Sequence, residues 1–165
     1  MTETTYEEEV FMELVKKLKR KNQEKLVLLD LPELLEPLRK EFEDILPVED
    51  RLKEEKADFI LAFFHTQEEI REKVPFIMEK VHRDTLLWVS YPKKSSRKVS
   101  SDITRDKGWE IFGDYAYEPV SQISISEDYS ALRFRPLKDI RSFRRNEEMI
   151  LSKEGRKRSK GEKGE

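Results

Sequence analysis

The sequence holds no cysteine among its 165 residues. Disulfide bridges, thiol nucleophiles and cysteine-ligated zinc are thereby excluded. Glycine is scarce: there are five, and none precedes Gly108. A dinucleotide, adenosylmethionine or Walker-type phosphate loop needs glycine after an early strand, so that the backbone can approach the ligand. The first strand candidate here runs instead into Asp30-Leu31-Pro32-Glu33. Histidine is confined to His65 and His82. They are distant from one another and the acids are scattered, so no metal site is expected, and no cofactor either. No nucleophile-elbow pattern is present. No apolar run approaches the length of a membrane span, and the acidic opening from Met1 to Glu9 lacks the apolar core of a signal peptide. A cytoplasmic location without a membrane partner is the expectation.

What is present is charge, 41% of the residues, with a net of -2. Its distribution says more than its sum. Positions 152–165 carry six basic and three acidic residues, and positions 93–107 carry six basic and two acidic ones. The remainder is acidic, which argues against nucleic acid as a general partner, because that requires a basic face. A chain of this length is expected to form one domain with a real core.

Hydrophobic periodicity divides the chain into helices and strands. Residues 5–21 read as an amphipathic helix, with Tyr6, Val10, Phe11, Leu14, Val15 and Leu18 on one stripe. Glu7, Glu8 and Glu9 open it and five lysines and arginines close it, as the helix dipole favours. Leu26-Val27-Leu28-Leu29-Asp30 is a short buried strand, and residues 32–45 read as a helix with Leu34, Leu35, Leu38 and Phe42 inward. Residues 46–48 suit a short edge strand. Ala57 to Phe64 form another apolar strand, and Thr66-Gln67-Glu68-Glu69 has the form of a capping box. The helix it starts carries Ile70, Val74, Ile77, Met78 and Val81, and Pro75 should kink or divide it. His82 would follow that helix as a partner for its dipole.

Residues 85–91 form the next strand. One of Ser100, Ser101 or Asp102 is expected to cap a helix running to about Phe112, stopped by Gly113. Residues 120–126 and 129–136 read as a hairpin about Glu127-Asp128, with Leu132 and Phe134 alternating with Arg133 and Arg135. Strands alternating with helices imply a mostly parallel sheet. The expected fold is therefore a three-layer Rossmann-like α/β domain over residues 1–137, ending in an antiparallel β-hairpin. Residues 138–165 form a charged extension, with disorder expected from about 152.

The order of these pieces resembles a bacterial family catalogued as domain of unknown function 3052. The likeness runs through Leu14-Val15-Lys16-Lys17-Leu18, Lys25 to Glu33 and Asp58-Phe59-Ile60-Leu61. It is sharpest at Leu87-Trp88-Val89-Ser90-Tyr91-Pro92-Lys93-Lys94 and Ser101-Asp102-Ile103-Thr104-Arg105-Asp106. It closes with Glu127 to Arg133, covering roughly residues 10–137, with Tyr129 where many members have tryptophan. The resemblance implies a fold and no activity. The sheet order also looks like the second half of a class I methyltransferase. The missing glycines speak against that family's usual cofactor loop.

In a parallel sheet, ligands gather outside the carboxyl ends of the strands. Asp30, His65, Lys93 and Lys94 all fall there, on one rim. An acid, an imidazole and two ammonium groups can bind an anion or move protons. Ser95, Ser96, Ser100 and Ser101 follow the lysines, where amides and hydroxyls at a helix start can hold phosphate. Polar strand ends are equally what any such sheet displays. Arg133 and Arg135, with Lys138 beyond, share a strand face and can bind an anion or pair with Glu118. The basic cluster Arg156-Lys157-Arg158-Ser159-Lys160 suits a solubilising terminus or an acidic partner. The leading expectation is a non-catalytic binding or regulatory module with a small anionic ligand at the Lys93 and Lys94 rim. The alternatives are a methyltransferase-related enzyme without the glycine loop, and a protein-interaction scaffold with a protein partner. No catalytic residue is assigned.

Overall fold

The computed structural model describes residues 5–140. The expected disorder of the tail lies outside these residues. Helix α1 spans Tyr6–Lys17 and strand β1 spans Leu26–Leu29. Helix α2 is Pro37–Glu43, β2 is Val48–Glu49, β3 is Ala57–Phe63 and α3 is Gln67–Met78. Strand β4 is Val81–Pro92, and β5 and β6 are Tyr117–Ser124 and Tyr129–Pro136. The six strands form one sheet in the order β2-β1-β3-β4-β6-β5. β2, β1, β3 and β4 are mutually parallel, and only β6 runs against its neighbours. This is the expected Rossmann-like α/β architecture with its antiparallel end.

Each face of the sheet carries its own core. On one side Phe11, Leu14 and Leu18 of the α1 segment and Phe42 of α2 cover Leu26, Leu28, Phe59, Leu61, Trp88 and Ala131. On the other side Ile70, Val74 and Ile77 of α3, with Trp109 and Phe112, cover Val27, Ile60, Ala62, Leu87, Val89, Leu132 and Phe134. The alternation within β4 and β6 divides successive side chains between the two cores. The continuous apolar runs of β1 and β3 follow from burial on both faces.

The helices depart from expectation where the backbone meets a constraint elsewhere in the chain. α1 begins with a capping box in which Thr5 and Glu8 bond each other's amides. It ends at Lys17 and not at residue 21. The carbonyl of Leu18 accepts a 2.9 Å bond from the Trp88 indole, and Lys19 turns left-handed at φ 64. Tyr6 and Val10, expected on the buried stripe, are 79% and 51% exposed. The helix expected over 32–45 divides into a 3-10 turn at Glu33–Leu35 and α2, with Pro37 at the first helical position. Leu34 is exposed as a result. Pro75, by contrast, does not divide α3.

β4 begins at Val81 and not at residue 85, which places His82 in a strand. Its Nε2 lies 2.8 Å from Asp58 Oδ1, so it is not a helix-end partner. The helix expected from residue 100 to Phe112 is absent. A loop takes its place, followed by a 3-10 turn at Glu110–Tyr115. Gly108, at φ +113, folds that loop against Gln67 and Ile70 of α3, where a side chain would be strained. Ala116, at φ 57, supplies the left-handed stop expected of Gly113.

Candidate functional site

The reversal of strand order at β1 marks where this architecture typically places a ligand crevice. The chain leaves β1 for β2 on one side and returns to β3 on the other, so the carboxyl ends of β1 and β3 flank the switch point. Asp30 stands at one lip with φ 56, and His65 stands at the other. The crevice between them is bridged by protein. Lys73 of α3 donates to Asp30 Oδ2 at 3.0 Å and lies 3.7 Å from Glu69. Burial works against the Lys73 charge, yet the bond to Asp30 and the nearby Glu69 outweigh it and raise its pKa.

His65 is held from three directions. Its ring Nε2 lies 2.7 Å from the Tyr129 hydroxyl, and the rings meet edge to face. Its amide donates to Glu69 Oε1 at 3.2 Å, and its carbonyl accepts from Ser101 Oγ at 2.7 Å. Burial, then the neighbouring Asp128 charge, lift the Tyr129 hydroxyl above its ordinary pKa. The imidazole and phenol therefore share a proton-bearing contact at the end of β3.

The start of α3 is closed in the same manner. The Thr66 hydroxyl accepts from the Glu69 amide at 3.1 Å. Asp102, expected to cap a helix of its own, instead accepts from the Gln67 amide at 2.9 Å. A carboxylate thus occupies the position an anionic ligand would take at this helix end.

Lys93 and Lys94 do not act as a pair. Lys93 turns to the hairpin, donating from its amide to the Asp128 carbonyl at 2.8 Å and from Nζ to Ser124 Oγ at 2.7 Å. Lys94 is exposed. Ser96 serves the loop: its hydroxyl donates to Asp128 and accepts from the Lys98 and Val99 amides. Asp30, His65 and Lys93 thus share one rim, and each is engaged within the fold.

Arg133 lies elsewhere. β6 is antiparallel to β4, with Pro92 opposite Tyr129 and Trp88 opposite Arg133. Four residues of strand, roughly 13 Å at about 3.3 Å per residue, carry Arg133 away from the Lys93 rim. It lines a cleft of about 470 Å³ with Arg135, Lys138, Arg83, Asp84 and Thr85. Asp139, the last lining residue, is held by Arg83 at 2.8 Å. Arg135 faces the fully buried Glu118 across the hairpin. Arg133 is half-buried, and its Nε is shut from solvent without a hydrogen-bond partner. Burial, then repulsion from Arg135, lower its pKa. Sequence reasoning named Arg133, Arg135 and Lys138. It missed Arg83 and Asp139, which only tertiary folding brings to them.

A second cavity, a groove of about 360 Å³, runs between α1, α2 and the β5–β6 turn. Phe11, Leu14, Leu38 and Ile125 line it, with Glu7 and Glu41 at its edge. Among the described residues, no cluster of metal-ligating side chains occurs and no helix is long and apolar enough to cross a membrane.

No family model and no curated protein matches the sequence. Among solved structures, an S-adenosylmethionine-dependent methyltransferase from Aquifex aeolicus superposes with a TM-score of 0.44 at 11% identity, over 75% of this chain and 88% of that one. A protein of the NADB-Rossmann superfamily from Streptococcus agalactiae gives 0.44 at 12%, over 74% and 67%. The phosphoethanolamine N-methyltransferase 2 of Haemonchus contortus gives 0.43 at 16%, over 82% of this chain and 39% of that one.

Proposed function

We propose that this chain is an oxyanion-binding module that acts without catalysis, and that its anion sits in the Arg133 cleft. The observation that carries this reading is the buried, unpartnered Nε of Arg133 in a cleft shared with Arg135, Lys138 and Arg83. Arg133 and Arg135 repel one another, and the Asp84 and Asp139 carboxylates only partly balance the four cations that line the cleft. A phosphate, sulfate or carboxylate would supply the missing acceptor, offset the repulsion and suit the planar donor geometry of arginine. Every residue lining the cleft is polar, so it fits a charged head better than a ring. The Lys93 and Lys94 rim has less support as the ligand's position, because Lys93 is engaged with Ser124 and the adjacent helix start is capped by Thr66 and Asp102. Kinship with the domain of unknown function 3052 family stands as part of the same proposal, on the strand and loop from Leu87 to Lys94.

A second reading, a methyltransferase-related enzyme that dispenses with the glycine loop, draws on the strand order and on the position of Asp30 and His65 at the switch point. Thermal-shift measurements separate the two, because a ligand that binds only the folded state raises the melting temperature. Phosphate, sulfate or pyrophosphate should raise it in the natural protein and in Lys93→Ala/Lys94→Ala, and should fail to do so in Arg133→Met. Loss of the response in the lysine variant with retention in Arg133→Met would overturn the placement. A shift with adenosylmethionine alone would favour the enzyme.

A further inference from the structure

The groove beside α1 plays no part in anion binding. Phe11, Leu14, Leu38 and Ile125 give it an apolar floor beside Ser124 and Ser126, and it is also lined by Tyr6 and Val10, which helical periodicity assigns to a core and the fold leaves uncovered. Its edge is acidic. Glu7 and Glu41 both line it, and burial, then the Glu7 charge, then Asp44, push the Glu41 carboxyl above the usual range. Lys17 is the one cation among the lining residues. The surface therefore calls for an occupant that is apolar first and basic beside it.

The sequence beyond Ile140 has that order. Met149-Ile150-Leu151 is followed by Lys153 and by Arg156-Lys157-Arg158. Residues 141–165 hold nine basic and five acidic side chains, a net of +4, whereas residues 1–140 sum to -6. Reach selects the same stretch. β6 leads from the hairpin turn at the groove to Pro136, eight residues or about 27 Å at ~3.4 Å per residue. Met149 lies nine residues beyond Ile140, enough extended chain to return up to about 30 Å. Phe143, three residues on, covers only about 10 Å and cannot arrive.

We propose that residues 149–158 of the same chain dock in this groove, with Met149, Ile150 and Leu151 against Tyr6, Val10 and Phe11, and the basic cluster against Glu7 and Glu41. The docked segment completes the cover of α1 and brings the basic tail onto the acidic body. This inference is independent of the anion cleft.

The absence of cysteine makes the test direct. In the full-length chain, Ser152→Cys carries a nitroxide as its only label. Amides of Tyr6, Val10, Ser124 and Ser126 should lose at least half their intensity relative to the ascorbate-reduced sample. Glu7→Lys with Glu41→Lys should restore most of it. If that pair perturbs folding, roughly 1 M salt, where the Debye length falls to about 3 Å, should restore part of it. Undiminished signals at the groove would overturn the proposal. So would broadening centred on Thr85 and Lys138, which would put the tail in the arginine cleft. A mixture of isotope-labelled chain without nitroxide and unlabelled chain with it should show no broadening. Broadening there would assign the groove to a second copy and overturn docking within the chain.

Discussion

The two ends of the central sheet treat charge in opposite ways. At the carboxyl ends of β1, β3 and β4, Asp30 meets Lys73, His65 meets Tyr129, and Lys93 meets Ser124. At the far end of β6, Arg133 has a buried nitrogen with no acceptor, and Arg135 is packed beside it. The first end has the place that the architecture reserves for ligands, yet its polar groups are used within the fold. The second has no such precedent, yet it leaves the Arg133 Nε without an acceptor. A position in a fold is a weaker guide to binding than an unpaired buried group, because the latter carries a standing energetic cost that a ligand relieves.

The largest expected effect tests whether the two ends belong to one cooperative unit. Phe134 is fully buried at the centre of β6 and stacks on Phe112 with ring centroids 4.0 Å apart. Phe134→Ala should cost about 3–5 kcal/mol in urea unfolding. Amide exchange at Tyr129 and at Arg135 should accelerate together. Separate transitions for the two ends would break the comparison into independent parts.

Alkaline pH comes next. Tyr91 lies beneath the loop at the carboxyl end, and its hydroxyl accepts from Gln122 Nε2 at 3.0 Å. Burial pushes its pKa up to about 12, opposed by Arg105 and helped by Asp106. A group whose folded pKa is raised gives its full contribution below the unfolded value, about 10, and loses it as pH climbs toward 12. Discounted for the part of the group that solvent screens, on the order of 1–2 kcal/mol should be lost over that interval. Tyr91→Phe should flatten the stability profile there, and an unchanged slope would assign the effect to other tyrosines.

Smaller effects sharpen the contrast at the carboxyl rim. Tyr129→Phe removes the partner of His65 and should cost about 1 kcal/mol. The His65 ring resonances should move while those of Arg133 stay in place. Lys73→Met removes an exposed ion pair and should change stability by less than about 1 kcal/mol in a chemical-denaturation curve. A larger loss would show that the Asp30 crevice depends on that bridge.

Much of this fold is legible in the sequence wherever the signal is local. Leu26–Leu29 and Ala57–Phe63 read as strands because burial on both faces makes them continuously apolar. Leu132 and Phe134 reveal β6 through alternation, and Thr66 reveals the start of α3. The errors arise where a side chain acts at long range. Asp102 and Ser101 look like caps of the segment they precede, but they bond Gln67 and His65, more than thirty residues earlier. Leu18 ends α1 through a bond to Trp88, seventy residues on. The site followed the same rule. Arg133 and Arg135 were visible as a strand face, but their distance from Lys93 depends on the antiparallel pairing of β6 with β4. Arg83 and Asp139 carried no local signal at all.

The measurement that tests the account most directly is a titration of the isotope-labelled full chain with pyrophosphate, followed through backbone amide and arginine Nε shifts. The account predicts saturable shifts at Arg133, Arg135, Lys138 and Thr85, with Lys93, Lys94 and Ser96 unmoved. Saturable shifts at Lys93, Lys94 and Ser96, with Arg133 unmoved, would contradict it and return the ligand to the carboxyl rim.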